Sequence, residues 1–380
     1  MTSKAIIIYS RPLRLGAQEK DTISGIRLFS SIFNKVIEVT IDFSSEDICT
    51  TNKNDTPTFY KKSYRDLLSL YMKFFLCKLL IWDPALRQVI RLNYFKFVQH
   101  LSLIHPNSVV IAENSNLLPL SFFFRHRVLR SHNFEPVHAF REQKIALLGM
   151  IYFVLKIESV ILERLFTKII SISRRDAAYY KLIPSYNRIL VLPLRDLIVK
   201  NSARNSIEPF SQLDKNVAYL SSTYNVFHNH KGLNFFANEV FNSLELKDIK
   251  LNIYGSKAPD LNYGQNVKLH GWVEDLNEIY LENQVFLCFS GGTGQQSKIF
   301  EPLVYGKILI CNPRLLAGHD LLPEIHYLAA ETSSEFRSQI LRVFGTGENF
   351  DELRHNAFEY CKIHFSYYQN LTNLSNFIKF

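Results

Sequence analysis

The chain opens on a short β-branched run, Lys4-Ala-Ile-Ile-Ile-Tyr9. An unbroken apolar run of that length predicts a strand buried on both faces of a parallel sheet. Residues 10–21 are polar and loop-like, and they hold Gly16. Residues 22–33 then place Ile23, Ile26, Phe29 and Ile32 at helical spacing. This order of strand, loop and helix recurs. Further strands are predicted over 36–43, 108–113, 127–130, 168–173 and 189–192, with a loop over 44–58. Helices are predicted over 64–103, 139–166 and 174–182. The first of these is broken near Asp83-Pro84, where proline can begin a new helix.

Residues 201–215 are polar, contain Pro209 and lack periodicity, as expected of an interdomain linker. A second alternating series follows. Strands are predicted over 216–220, 249–254, 267–270, 285–289 and 308–311, and helices over 232–243, 276–282, 297–305 and 334–344. The tail, 350–378, reads as helical with breaks. Strands alternating with helices imply parallel sheets covered on both faces. The expected fold is therefore α/β, with two Rossmann-like domains facing across a cleft. They span residues 1–200 and 216–365, and a C-terminal helix over 366–380 returns to the first domain. Such sheets bind ligands at the carboxyl ends of their strands. The loops after Leu220, Tyr254, His270 and Phe289 are the places to look.

Composition changes the picture at three points. Glycine is scarce, 14 residues in 380, so glycines that cluster carry positional weight. The formal charge of +9 is compatible with phosphorylated small molecules, an anionic membrane surface or nucleic acid, and equally with a solvated basic surface. The five cysteines, Cys49, Cys77, Cys288, Cys311 and Cys361, are widely spaced with no Cys-x-x-Cys. They point to neither a zinc site nor a disulfide framework, and a reducing cytoplasm fits them best. No signal peptide is visible. The apolar stretches 67–82 and 145–161 are interrupted by Lys73 and Lys78, and by Lys156 and Glu158, so neither reads as a clean membrane span.

The strongest constellation runs Ser290-Gly-Gly-Thr-Gly-Gln-Gln-Ser-Lys-Ile-Phe-Glu-Pro-Leu-Val-Tyr-Gly-Lys307. A buried strand leads through Gly291, Gly292, Thr293 and Gly294 into a helix. Glycines let a backbone approach an anion, and a helix N-terminus presents free N–H groups and the positive end of its dipole. Gln295, Gln296 and Ser297 lie at that entry. Lys298, near the first turn, is placed to neutralise a diphosphate. Glu301, three residues on, suits a pair of ribose hydroxyls. A plain glycine-rich connection is the alternative. A Walker loop is excluded, because the Gly-Lys-Ser/Thr ending is missing. Pro302 is tolerable only if the helix starts close before it.

Gly-x-Gly-x-x-x-Lys-x-x-Glu, followed by Gly306-Lys307 and a strand, resembles the donor site of the family-4 (glycosyl transferases group 1) enzymes with the GT-B fold. Val217-Ala-Tyr-Leu-Ser221-Ser222 with Lys231-Gly232 resembles the opening of their C-terminal domain. Leu251-Asn-Ile-Tyr254-Gly255 resembles its next strand, and Val267-Lys-Leu-His-Gly271-Trp272-Val273 the segment that meets the nucleobase. In the N-terminal half, Arg130-Ser-His132-Asn-Phe-Glu135 and Ile170-Ser-Ile-Ser-Arg-Arg-Asp176 resemble stretches of the same proteins. The resemblance spans roughly residues 5–365. It implies a hexosyltransferase that moves a sugar from a UDP- or GDP-type nucleotide sugar to a glycan or lipid-linked acceptor, with retention, in cell-surface polysaccharide synthesis. Many family members carry two glutamates eight positions apart. Glu301 matches the second, and Thr293 stands where the first would be.

His132, Lys298 and Glu301 are the candidate catalytic residues. His132 and Glu135 are assigned to the acceptor side, and Gly16 with Arg14 approaches the donor phosphate. For His132 a ring satisfied by local backbone is the other reading, for Glu135 an N-terminal helix charge, and for Gly16 an ordinary turn. Asp176 and Glu158 read by default as solvated carboxylates. No metal or other cofactor is expected, and no nucleic-acid motif is present. Basic and aromatic residues interleave over 61–96, either as peripheral contact with the inner face of an anionic membrane or as a core-facing helix. A nucleotide-sugar epimerase on the same fold and a non-catalytic relative are the competing functions.

Overall fold

The computed structural model describes residues 4–11, 25–42, 48–50, 92–141, 145–163, 168–182, 188–193, 215–259, 264–291 and 295–379, with 72, 75, 82, 83, 143, 207 and 210. The chain divides into two compact units. One comprises residues 1–196 with 368–380, and the other residues 197–367.

The first unit is built on β1 (Lys4–Arg11), β2 (Lys35–Asp42), β3 (Ile48–Thr50), β4 (Val109–Glu113), β5 (His126–Ser131), β6 (Lys168–Ser171) and β7 (Ile189–Val191). The strand order is β3-β2-β1-β4-β5-β6-β7. All pairings are parallel except β2 with β3. The short edge strand β3 lies inside the stretch expected to be loop. Three residues with a polar flank give too little pattern to reveal a strand. Ala5, Ile6, Ile7 and Ile8 are all fully buried, as are Val109 to Ala112. Burial on both faces explains why these strands read as unbroken apolar runs rather than alternating ones.

Helices α1 (Leu92–Ile104), α2 (Glu135–Arg141), α3 (Ala146–Glu163) and α4 (Arg174–Lys181) accompany this sheet. Tyr94, Phe95, Val98 and Leu101 of α1 enter the same core as Ile6, Ile8 and Val39. Tyr94 and Phe95, at the end of the basic aromatic stretch, are therefore core-facing, and 61–91 lies almost wholly outside the described residues. Each such side chain, fully withdrawn from water, contributes about 1.5–3 kcal/mol. Ser173 caps α4, accepting from the Asp176 backbone N–H at 3.0 Å and donating to the Asp176 carboxylate at 2.8 Å. Asp176 is fully buried, not solvated as expected. Capping gives it a hydrogen-bonded place in the interior.

The second unit holds β8 (Asn216–Thr223), β9 (Lys250–Ser256), β10 (Val267–Gly271), β11 (Val285–Cys288), β12 (Ile308–Cys311) and β13 (Leu328–Ala329). Its sheet is wholly parallel, in the order β10-β9-β8-β11-β12-β13. The order reverses between β8 and β11, which makes the crevice beyond their carboxyl ends the topological switch point. Helices α5 (Phe227–Asn234), α6 (Leu276–Glu282), α7 (Ser297–Val304), α8 (Ser333–Gly345) and α9 (Asp351–His364) complete the unit. After Phe365 and Ser366 the chain forms α10 (Tyr367–Ile378), most of which groups with the first unit. There the Lys168 ammonium donates to the Lys379 carbonyl at 2.5 Å.

The helix predicted over 139–166 is instead two, α2 and α3, the first beginning at Glu135, and β13 lies where no strand is predicted. The helix predicted over 232–243 begins earlier, at Phe227, and passes into a π-helical turn over Phe235–Val240. The wider turn lets Phe235 stack on Phe289, centroids 3.6 Å apart, while Phe236 packs on Tyr219 and Phe336. Pro302 sits in the second turn of α7 rather than the first. The helix stops soon afterwards: Gly306, at φ +63°, donates to Leu303 O, and Lys307 donates to Pro302 O. This is a Schellman closure, which favours glycine at the left-handed position.

Candidate functional site

The carboxyl end of β11 is held by its neighbours before it reaches the glycine-rich turn. Phe289 is fixed by its stack on Phe235, and the Ser290 hydroxyl donates to the His228 carbonyl of α5. Gly232 permits that approach. A Cβ there would lie 2.1 Å from the buried Tyr219 hydroxyl and 2.9 Å from Ser290 Oγ. Gly292, Thr293 and Gly294 lie outside the described residues, as does Gly16 of the first unit. The chain is described again at Gln295, which is buried, and at Gln296, whose side chain lies against Gly291. Ser297 then opens α7.

Lys298 turns back toward this strand end. Its ammonium donates to the Ser290 carbonyl at 3.1 Å and to Asn229 Oδ1 at 3.3 Å, and lies 5.8 Å from the centre of the Tyr219 ring. Asn229 is itself oriented, since its amide donates to the Thr223 carbonyl at 2.9 Å. Among the described residues Lys298 has no carboxylate partner. A half-buried ammonium held by two neutral acceptors at a helix start is electrostatically suited to an anion. Glu301, one turn on, is buried and accepts from the Tyr280 hydroxyl at 2.5 Å. Tyr280 stacks on Tyr305, so α6 and α7 share this carboxylate as a tie.

The neighbouring strand ends carry the other expected residues. Ser221 and Ser222 lie near the end of β8, where the Ser256 hydroxyl donates to the Ser222 carbonyl at 2.9 Å. Gly255 adopts φ +142°, and a Cβ on it would lie 2.4 Å from the Ser221 carbonyl oxygen. Tyr254 stacks on His270 at 4.5 Å, and its hydroxyl accepts from Asn283 at 3.1 Å. Burial raises that phenol. Gly271, at φ +71°, ends β10 in open space, Trp272 is exposed and Val273 half-buried. All of these belong to the second unit. Asn229, Tyr219 and Tyr280 were not foreseen. Each reaches Lys298 or Glu301 from a different segment, and no local spacing marks them.

In the first unit His132 follows β5 and is buried. Arg130 Nη1 donates to His132 Nε2 at 2.8 Å and lies 3.4 Å from Glu113 Oε2, while His132 Nε2 is 3.2 Å from the same carboxylate oxygen. An arginine can only donate, so in the neutral ring the imidazole proton sits on Nδ1. The Arg130 and Glu113 side chains thus both meet His132. Asn114, directly after Glu113, adopts φ 108° and donates to the Arg130 carbonyl. Backbone in that region costs about 1–3 kcal/mol for a residue with a side chain, and it persists where the surroundings fix it. Glu135 begins α2, and burial pushes its carboxyl up to about 7, opposed by Lys156. Glu163 is fully buried, and its carboxyl is pushed up to about 8, opposed by hydrogen bonds from Ser115 and Tyr180.

Comparison with known proteins follows the same division. Residues 214–357 match the sequence profile of the family Glycosyl transferases group 1. The whole chain superposes on HepE of Anabaena, solved in complex with UDP, with a TM-score of 0.64 at 12% identity and 98% coverage of both chains. The chain has the GT-B fold. Sucrose-phosphate synthase of Thermosynechococcus elongatus gives a TM-score of 0.61 at 12% identity, again covering 98% of both chains. TarM of S. aureus gives 0.56 at 14% identity, with 82% of this chain matched. The match spans 59% of TarM's length. No curated protein sequence matches the chain closely enough to count as a relative.

Proposed function

We propose that this GT-B protein transfers a sugar from a nucleoside-diphosphate donor, and that α7 of the second unit grips the diphosphate. The observation that carries this reading is Lys298, whose ammonium is aimed at the end of β11 by Ser290 and Asn229 and has no carboxylate partner among the described residues. Sugar transfer breaks the bond between the anomeric carbon and a phosphate oxygen, so negative charge develops on the departing diphosphate. A fixed ammonium and the start of a helix stabilise that charge more than they stabilise the bound donor, which lowers the barrier. With that grip in place no metal ion is required. Glu301, kept in position by Tyr280, holds the ribose. Tyr254, Gly271, Trp272 and Val273 flank the base.

HepE has been solved with UDP and with UDP-glucose, and that supports a uridine donor here. A glycan or lipid-linked acceptor, retention of configuration and a place in surface polysaccharide synthesis complete the proposal. His132, fixed by Arg130, serves the acceptor side. The test is a panel of UDP and GDP sugars scored by thermal stabilisation. A ligand that binds only the folded state at one hundred times its Kd stabilises it by about 2.7 kcal/mol. One class of nucleotide diphosphate is expected to raise the midpoint of unfolding while nucleosides do not. A flat response across the panel contradicts the proposal.

A further inference from the structure

Helix α3 is apolar on both sides, and one side carries large exposed side chains. Inward, Gly149 lies against α2, where a Cβ would sit 2.9 Å from the Phe140 carbonyl oxygen, and Val160 and Glu163 are buried. Outward, Leu147, Met150, Val154, Ile157 and Ile161 recur at alternating intervals of three and four. Leu147 is 70% exposed, Val154 61% and Ile161 56%. A helix on a water-facing surface places its charges on the outer face. The three charged residues of α3 are engaged elsewhere. Glu163 is buried against Ser115, Lys156 pairs with Asp83 at 2.9 Å, and the Glu158 carboxylate accepts the backbone N–H groups of Trp82 and Asp83, each at 2.8 Å.

The Glu158 clamp has a second effect. It fixes Trp82 beside the helix with 73% of its surface exposed. A bare tryptophan at the margin of an uncharged apolar stripe matches the boundary between lipid headgroups and acyl chains, where an indole has one wet side and one dry. The net charge of +9 complements an anionic lipid surface. Among the described residues no helix is long and apolar enough to cross a membrane. We propose that the outer face of α3, with Trp82, docks the protein on an anionic phospholipid bilayer, the helix lying in the interface plane. This surface lies in the first unit, and the inference stands apart from the donor-site reading.

The test is co-sedimentation of the full chain, without donor, with vesicles of phosphatidylglycerol and phosphatidylcholine. The comparison variant carries Leu147→Gln, Val154→Gln and Ile161→Gln, all at positions more than half exposed. Wild type is expected to pellet with the mixed vesicles and only weakly with phosphatidylcholine alone. The triple variant should lose at least tenfold in binding with its thermal midpoint unchanged. With Trp272→Phe in place, Trp82 emission should move to shorter wavelength when vesicles are added. Equal binding by the triple variant, or an unmoved Trp82 emission, overturns the proposal. So does a fall in thermal midpoint, since protein would then cover the stripe. A wild-type dimer in sedimentation velocity that the triple variant converts to monomer would assign the stripe to self-association instead.

Discussion

Replacing Lys298 with alanine removes the one fixed positive charge that the donor-site account relies on. Two unit charges about 4 Å apart, at an effective dielectric near 20, interact by about 4 kcal/mol. Loss of a preorganised group that meets developing negative charge costs about 10²–10³ in rate, or roughly 2.7–4 kcal/mol, so the two estimates agree. The fold loses less. Lys298 makes two hydrogen bonds to neutral acceptors, Ser290 O and Asn229 Oδ1, each worth about 1 kcal/mol net. A cost of about 2 kcal/mol falls short of the stability expected of an ordinary domain. Lys298→Ala should therefore stay folded, bind nucleoside diphosphate at least tenfold more weakly and turn over at least one hundredfold more slowly. Lys298→Arg should recover part of both losses. Calorimetric titration of UDP and GDP, with release of nucleoside diphosphate followed against time, measures the two effects separately. Turnover within threefold of wild type in the alanine variant would refute the assignment.

Two further outcomes follow from the packing. Gly232→Ala gains about 1 kcal/mol of helix propensity, but its Cβ would sit 2.1 Å from the Tyr219 hydroxyl, and overpacking of that kind costs about 1–3 kcal/mol. Urea unfolding should show net destabilisation, together with weaker nucleotide binding as α5 moves off Ser290; a neutral or stabilised variant contradicts this packing. Glu163 binds its proton more tightly folded than unfolded, because burial lifts its carboxyl to about 8. The stability it contributes is fully present below about pH 4.5 and is lost as pH rises toward 8. Glu163→Gln should flatten the pH dependence of unfolding free energy across that window and raise stability at its upper end. Parallel profiles for the two proteins would show that Glu163 is not the group responsible.

The sheets were legible in the sequence because their strands are buried on both faces. Lys4-Ala-Ile-Ile-Ile and Val285-Phe-Leu-Cys admit little but parallel strands, and the loop after Phe289 is one of four strand ends where the sequence places a ligand. Lys298 was legible for the same reason, since it follows a strand, a glycine turn and a helix start in one continuous stretch. Its partners were not. Asn229 comes from α5 and Tyr219 from β8, and a polar side chain on a half-buried helix carries no local sign of the acceptor it will present. Glu301 was read as a ribose carboxylate, and its bond to Tyr280 could not be seen twenty-one positions away. His132 shows a similar limit, because Glu113 meets it only through the pairing of β4 with β5. The stretch 145–161 was readable as apolar and helical, but periodicity alone does not tell a covered face from an uncovered one.

The most direct test of the central claim is the crystal structure of the full chain with UDP bound. The account predicts the diphosphate at the start of α7, with a phosphate oxygen within ion-pair distance of Lys298 Nζ and the ribose beside Glu301. A nucleotide seated elsewhere, with the Lys298 ammonium still on Ser290 and Asn229, would contradict it.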